Sequence, residues 1–207
     1  MQNRQLKTTM PQVFFVIGPA GSGKSSVSKL LAEHHGAAYI DKDTATKRFT
    51  ELLLTLDGSD PNERDNNEFY QRAILPLEYA SILDLTRDNL SVGRSVVLDA
   101  PFGKFFADPD YLINAGREHH WPEAELIVVH VRTDGEAVRA RLVARGYERD
   151  EWKLNNWEQF WAASQVNACE WKGARHVELD NSGDAIDVGL LDVVFGIGGV
   201  PTSDPPA

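Results

Sequence analysis

The sequence predicts an α/β domain in which a five-stranded parallel sheet is covered by helices on both faces. Three observations lead there. Five short runs, at 13–17, 37–40, 95–99, 125–131 and 175–180, alternate with stretches whose apolar residues recur at helical spacing, the pattern of right-handed βαβ crossovers. The first run leads straight into a glycine-rich turn and then a helix. The first three runs give way to Gly18, to Asp41 and Asp43, and to Asp99, and in open parallel sheets ligands bind outside the carboxyl ends of the strands.

Residues 13–17, VFFVI, are continuously apolar, as suits a strand buried on both faces. The following text, GPAGSGKS from Gly18 to Ser25, has the Gly-x-x-x-x-Gly-Lys-Ser spacing of a phosphate-binding P-loop. Each position has a physical reason. Glycines let successive N–H groups ring a phosphate with no Cβ in the way. The helix starting near Lys24 points its positive end at the same anion. Lys24 is placed to reach the β- and γ-phosphates, and the Ser25 hydroxyl to meet Mg²⁺. Gly18, Ala20, Gly21, Ser22, Gly23, Lys24, Ser25 and Ser26 are therefore the expected nucleotide cradle.

Gly36 is the expected stop of the first helix, and the second strand, 37–40, ends in Asp41-Lys42-Asp43. Two carboxylates at that point suit contact with phosphates or an acceptor, and equally the capping of a helix at Thr44. Residues 57–67 read as a loop, and 69–90 as a long helix in which Pro76 predicts a kink or a break. After the third strand, 100–111 reads as irregular and 112–120 as helical. Thr133 and Asp134 cap a helix over about 136–144 that carries Arg139 and Arg141, with Arg145 just beyond. A second helical block, 147–168, is dense in charge and tryptophan. The fifth strand turns through Asn181-Ser182-Gly183 into a final helix at 184–195.

Composition narrows the classes. The 207 residues suit one domain, 12–195, with a flexible leader at 1–11 and a flexible tail at 196–207. A net charge of -10 argues against non-specific nucleic-acid or anionic-membrane binding. No apolar run has the length of a membrane span, and the single cysteine, Cys169, excludes an internal disulfide and fits a reducing cytoplasm. Cys169 and the pairs His34-His35 and His119-His120 lack nucleophile or metal-ligand partners and read as packing or surface residues. Lys47 and Arg48 read as a solvated helix face.

Together GPAGSGKS, YIDKD, VVLDA and RLVAR resemble the small P-loop kinases, a group that includes gluconate, shikimate, chloramphenicol and adenylate kinases, and most closely the bacterial AAA-type ATP-binding kinases near them. The resemblance spans about 12–195. It implies the three-layer P-loop NTPase fold with strand order 2-3-1-4-5, ATP and Mg²⁺, and a helical lid at about 142–165. It also implies roles. Asp43 would hold the acceptor hydroxyl and take its proton. Asp41 would lie near Mg²⁺, and Asp99, in the Walker B position, would hold the ion with Ser25. Arg141 would stack on adenine, and Arg145 would reach the transferring phosphate as a catalytic residue with Lys24 and Asp43.

The expected activity is transfer of the ATP γ-phosphate to a hydroxyl of a small molecule such as a sugar or an antibiotic. The sequence lacks the DxxH text of gluconate kinases, the arginine clamp of shikimate kinases and the DRS motif of nucleoside kinases. The acceptor, the oligomeric state and the choice between ATP and GTP stay open. Two alternatives remain: a nucleotide or nucleotide-sugar kinase of zeta-toxin-like type, and a non-catalytic ATP-binding module or slow ATPase switch. Polynucleotide kinase activity is disfavoured by the acidic charge.

Overall fold

The computed structural model describes residues 10–61, 64, 67–147, 150–166, 168–183 and 186. The strands β1 (Gln12–Ile17), β2 (Ala38–Asp41), β3 (Val96–Asp99), β4 (Glu125–Arg132) and β5 (Arg175–Asp180) form one parallel sheet in the order β2-β3-β1-β4-β5. This is the expected count, direction and order. The expected final helix, most of the leader and the tail lie outside the described residues.

β1 is the central strand, and its continuous apolar text follows from burial on both faces. On one side Phe15 packs with Leu98 and Val128 of the neighbouring strands and with Ile82, Phe102, Leu112 and Trp171. Phe14 and Val16 point to the other side, against Val27 and Leu31 of α1 (Lys24–His35). Cys169 is buried in the first of these clusters as a small apolar side chain, and burial pushes its thiol up to about 11.

Asp41 caps α2 (Lys42–Asp57), its carboxylate accepting the Thr44 N–H. The expected effect of Pro76 is visible one turn upstream. The chain is helical from residue 68, widens into a π turn over Tyr70–Ile74, and only then enters α3 (Leu75–Ser91). Proline has no N–H for the carbonyl four residues back and its ring crowds that carbonyl. The wider turn, closed by the Leu75 N–H on the Tyr70 carbonyl, accommodates both defects. A 3-10 turn at Phe102–Phe105 lies in the expected irregular stretch, followed by α4 (Tyr111–Glu118).

Asp134 caps α5 (Gly135–Arg145) by accepting the Ala137 N–H at 2.7 Å. The charged, tryptophan-rich block divides at Asn156 into α6 (Glu151–Asn155) and α7 (Trp157–Val166), where Trp157 and Trp161 stack at 5.7 Å. Among the described residues no helix is long and apolar enough to cross a membrane. Register finishes the arrangement: Val16, Asp99 and Asp41 are level on adjacent strands, so the P-loop and both strand-end aspartates emerge side by side.

Phe15→Ala should lower unfolding stability by about 3–5 kcal/mol in urea titrations. Because Trp121 and Trp171 lie 6.3 and 5.8 Å from the Phe15 ring, their native fluorescence should shift in the same variant.

Candidate active site

The P-loop is shaped by its glycines and by what lies behind them. Gly23 has φ of +87°, and a Cβ there would stand 2.3 Å from the Asn181 Nδ2 atom. Gly21, at φ +84°, lies against Val138 and Leu142 of α5. The Ser22 carbonyl accepts from Asn181 Nδ2 at 2.7 Å, Thr133 Oγ1 at 3.1 Å and Arg141 Nη1 at 3.4 Å. In a trans peptide the next N–H points the opposite way. Committing this carbonyl to the ends of β4, α5 and β5 therefore turns the Gly23 N–H away from those braces.

Lys24 folds back across the loop, its Nζ donating to the carbonyls of Gly18 at 2.9 Å and Pro19 at 2.8 Å. Burial lowers its ammonium from near 10.5 to about 8; Asp99 opposes the shift and Arg145 adds to it. Asp99 is itself buried and accepts the Tyr39 hydroxyl at 2.9 Å. Burial, then the Asp99 charge, drives that phenol far above its ordinary value.

The remaining expected residues reach the same place from different elements. Asp43 is half-exposed in the first turn of α2, 3.2 Å from Lys42 Nζ and 3.5 Å from Arg64 Nη1. Arg141 donates through Nη2 to the carbonyls of Asn181 and Gly183, bracing the loop after β5. Arg145 ion-pairs with Asp150, which is fully buried and also takes Lys153 at 2.8 Å. Burial pushes the Asp150 carboxyl up, but bonds from Arg145 and Lys153 outweigh it and hold it below the usual range. Lys47 and Arg48 are exposed, as expected.

A cleft of about 690 Å³ is lined by Ala20, Gly21, Gly23, Lys24, Ser25, Ser26, Asp41, Asp43, Asp99, Arg141 and Arg145, together with Lys42, Tyr147 and Lys153. An adjoining cleft of about 700 Å³ takes in Gly18, Phe102, Phe106 and His130, and shares Lys24, Ala100 and Pro101 with the first. Of the expected site residues, Ser22 alone lines neither: its side chain is buried and its carbonyl serves as the brace point. Sequence reading gave no site role to Tyr39 or Lys42, whose local text carries no signal; it placed Asp150 only within the charged block of the lid and Asn181 only in the turn after the fifth strand.

Comparison with known proteins agrees with the fold. A family model described as an AAA domain matches residues 13–166. A stretch of 38 residues is 47% identical to shikimate kinase from Psychrobacter sp. (strain PRwf-1), covering 18% of this chain and 21% of that enzyme's length. Among solved structures, a candidate kinase from Chloroflexus aurantiacus j-10-fl aligns with a TM-score of 0.62 at 16% identity, over 88% of this chain and 95% of that one. A sugar kinase from Janibacter sp. HTCC2649 aligns at 0.52 with 14% identity, over 83% and 86% of the two chains. A gluconokinase from Sinorhizobium meliloti 1021 aligns at 0.51 with 19% identity, over 91% and 96%. With well over half of its length matched by the family model, the chain belongs to the AAA-domain family and has the fold of the P-loop kinases.

Proposed function

We propose that the protein is an ATP-dependent phosphotransferase that moves the γ-phosphate to a hydroxyl of a small molecule. The observation that carries this reading is one cleft lined by the P-loop lysine and serines, the strand-end carboxylates Asp41 and Asp99, Asp43 in the first turn of α2, and two arginines of α5. A MgATP-binding module needs the lysine, the serines and the carboxylates that would hold the ion, Asp99 and Asp41; Asp43, from α2 on the same cleft, is the further carboxylate that an incoming hydroxyl calls for.

The roles follow from position. The glycine turn and the start of α1 cradle the phosphates. Lys24 exchanges its two loop carbonyls for phosphate oxygens. Asp43 accepts and orients the acceptor hydroxyl. Arg145 leaves Asp150 to meet charge on the transferring group, and the planar Arg141 guanidinium, fixed on the loop after β5, offers its face to the base. The span from the end of α5 through α7 is the lid whose closure excludes water.

The donor set suits Mg²⁺: Ser25 is exposed at the start of α1, Tyr39 engages one oxygen of Asp99, and Thr44 engages one of Asp41. An all-oxygen set with second carboxylate oxygens left over is the chemistry this ion takes. Ser25 and Asp99 would hold it, with Asp41 beside them, and when bound it supplies charge neutralisation on the phosphates.

The defining measurement is ADP release from MgATP across pooled sugars, polyols, antibiotics and nucleosides. Stimulation by one pool is expected; a flat response in a protein that binds ATP would favour the non-catalytic module. With the acceptor found, Lys24→Ala should abolish transfer, and Asp43→Asn should lower turnover by about 10²–10⁴-fold while ATP affinity stays within a factor of about three. Nucleotide affinity should also fall as pH rises through about 8, where Lys24 loses its proton, by up to about tenfold per unit because binding then requires proton uptake. Lys24→Met should flatten that limb in calorimetric titrations.

A further inference from the structure

Behind Asp43 lies a buried polar cluster that nucleotide binding does not require. Lys42 and Glu78 are 2% and 3% exposed and form an ion pair. The Glu78 carboxylate also accepts the Tyr70 hydroxyl at 2.9 Å and the Thr50 hydroxyl. Burial pushes this carboxyl up, but the bonds from Lys42, Thr50 and Tyr70 outweigh it and keep it low.

Stability gives no reason for this arrangement. A buried ion pair is often matched or bettered by apolar residues of similar volume. Lys42 is moreover the first residue of α2, where the helix dipole disfavours a cation. The fold nevertheless shapes a helix around the pair. In an unbroken α-helix Tyr70 and Glu78, eight residues apart, would differ by about 80° around the axis; the extra residue of the π turn reduces this to about 20°. The π turn thus brings the Tyr70 hydroxyl onto the face that carries Glu78.

We propose that Glu78 is a positioning residue for phosphoryl transfer: it fixes Lys42, and Lys42 with Arg64 fixes the carboxylate of Asp43. The inference rests on the acceptor-orienting role given to Asp43 above. Both cations approach the same oxygen, Oδ1, of Asp43, so Oδ2 is the oxygen presented to an acceptor. A carboxylate held this way begins the reaction oriented, which is where much of the advantage of a positioned base arises. Neighbouring Tyr79 ties the device to the other wall: its ring lies 5.8 Å from Lys42 Nζ and its hydroxyl donates to the Pro101 carbonyl at 2.7 Å.

The test separates positioning from packing. Glu78→Gln alone takes the buried partner from the Lys42 ammonium, leaving it only the half-exposed Asp43, and should destabilise the fold. In Lys42→Met/Glu78→Gln the charges go together, and the amide can accept from one of the Thr50 and Tyr70 hydroxyls and donate to the other, so the melting temperature should return to within a few degrees of wild type. Crystal structures of this double variant should show the Asp43 carboxylate displaced or in several rotamers. With the acceptor from the pooled screen, kcat should fall by at least about tenfold while KM for ATP stays within about twofold. A stable double variant that keeps wild-type kcat, or keeps Asp43 in place, overturns the proposal. If wild type transfers phosphate to nothing, the kinase reading fails, and the place of Asp43 in the crystals still decides whether Glu78 and Lys42 position it.

Discussion

The bracing of the Ser22 carbonyl is the constraint on which the rest of the site depends. Three donors converge on it from Thr133, Arg141 and Asn181, residues separated from the loop by more than a hundred positions. A glycine-rich loop is free to take many shapes, so its glycines permit the phosphate cradle without enforcing it. Enforcement comes from the ends of β4, α5 and β5, which are level with the loop only because the parallel sheet sets β1 beside β4 and β4 beside β5. The sheet's function here is registration: it holds distant loops to hydrogen-bond tolerance.

A second regularity is that cations at this site are held by internal partners. Lys24 is capped by loop carbonyls, Arg145 and Lys153 by Asp150, and Lys42 by Glu78. Close-packed positive charges would otherwise repel one another across a partly dry cleft. Internal partners offset much of that repulsion, though Arg145 still helps to lower the Lys24 ammonium, and in the proposed reaction they give way to phosphate oxygens. The exposure of the pairs sorts their roles. Arg145 is partly accessible and can swing, whereas Lys42 and Glu78 are sealed and hold one geometry.

Much of the fold was legible because it rests on local text. Strand runs, the glycine turn and the Asp134 cap are each written in a few adjacent residues and appear where the text puts them, and the disruption written at Pro76 appears one turn upstream of it. The loop and strand-end residues of the site were legible for the same reason, since strand ends in a parallel sheet are already known to converge. Lys42 was not. Between two aspartates at a helix start, it reads as a solvated charge, and nothing local reveals Glu78 thirty-six residues later. Until Leu54 the buried face of α2, Lys42-Thr46-Thr50, is polar, so hydrophobic periodicity, the main signal for a packed helix, is silent around Lys42. Asp150 is legible only as part of the charged lid block; its burial shows only once its two partners close over it.

This difference in legibility follows from the two ligands. Phosphate is the same anion in every nucleotide, and backbone N–H groups with one lysine can bind it, so its site can be written as a short contiguous motif. An acceptor hydroxyl must be recognised together with the molecule that carries it. That requires side chains of chosen shape and charge from several elements: in the proposed reading Asp43 from α2, with Pro101 after β3 and Tyr147 after α5 on the same cleft and the Lys42–Glu78 pair behind them. Such a set is assembled only by tertiary structure. The donor half of the cleft is therefore announced by its sequence; of the proposed acceptor half Asp43 is announced too, and only the buried Lys42–Glu78 pair behind it becomes visible once the helices are packed.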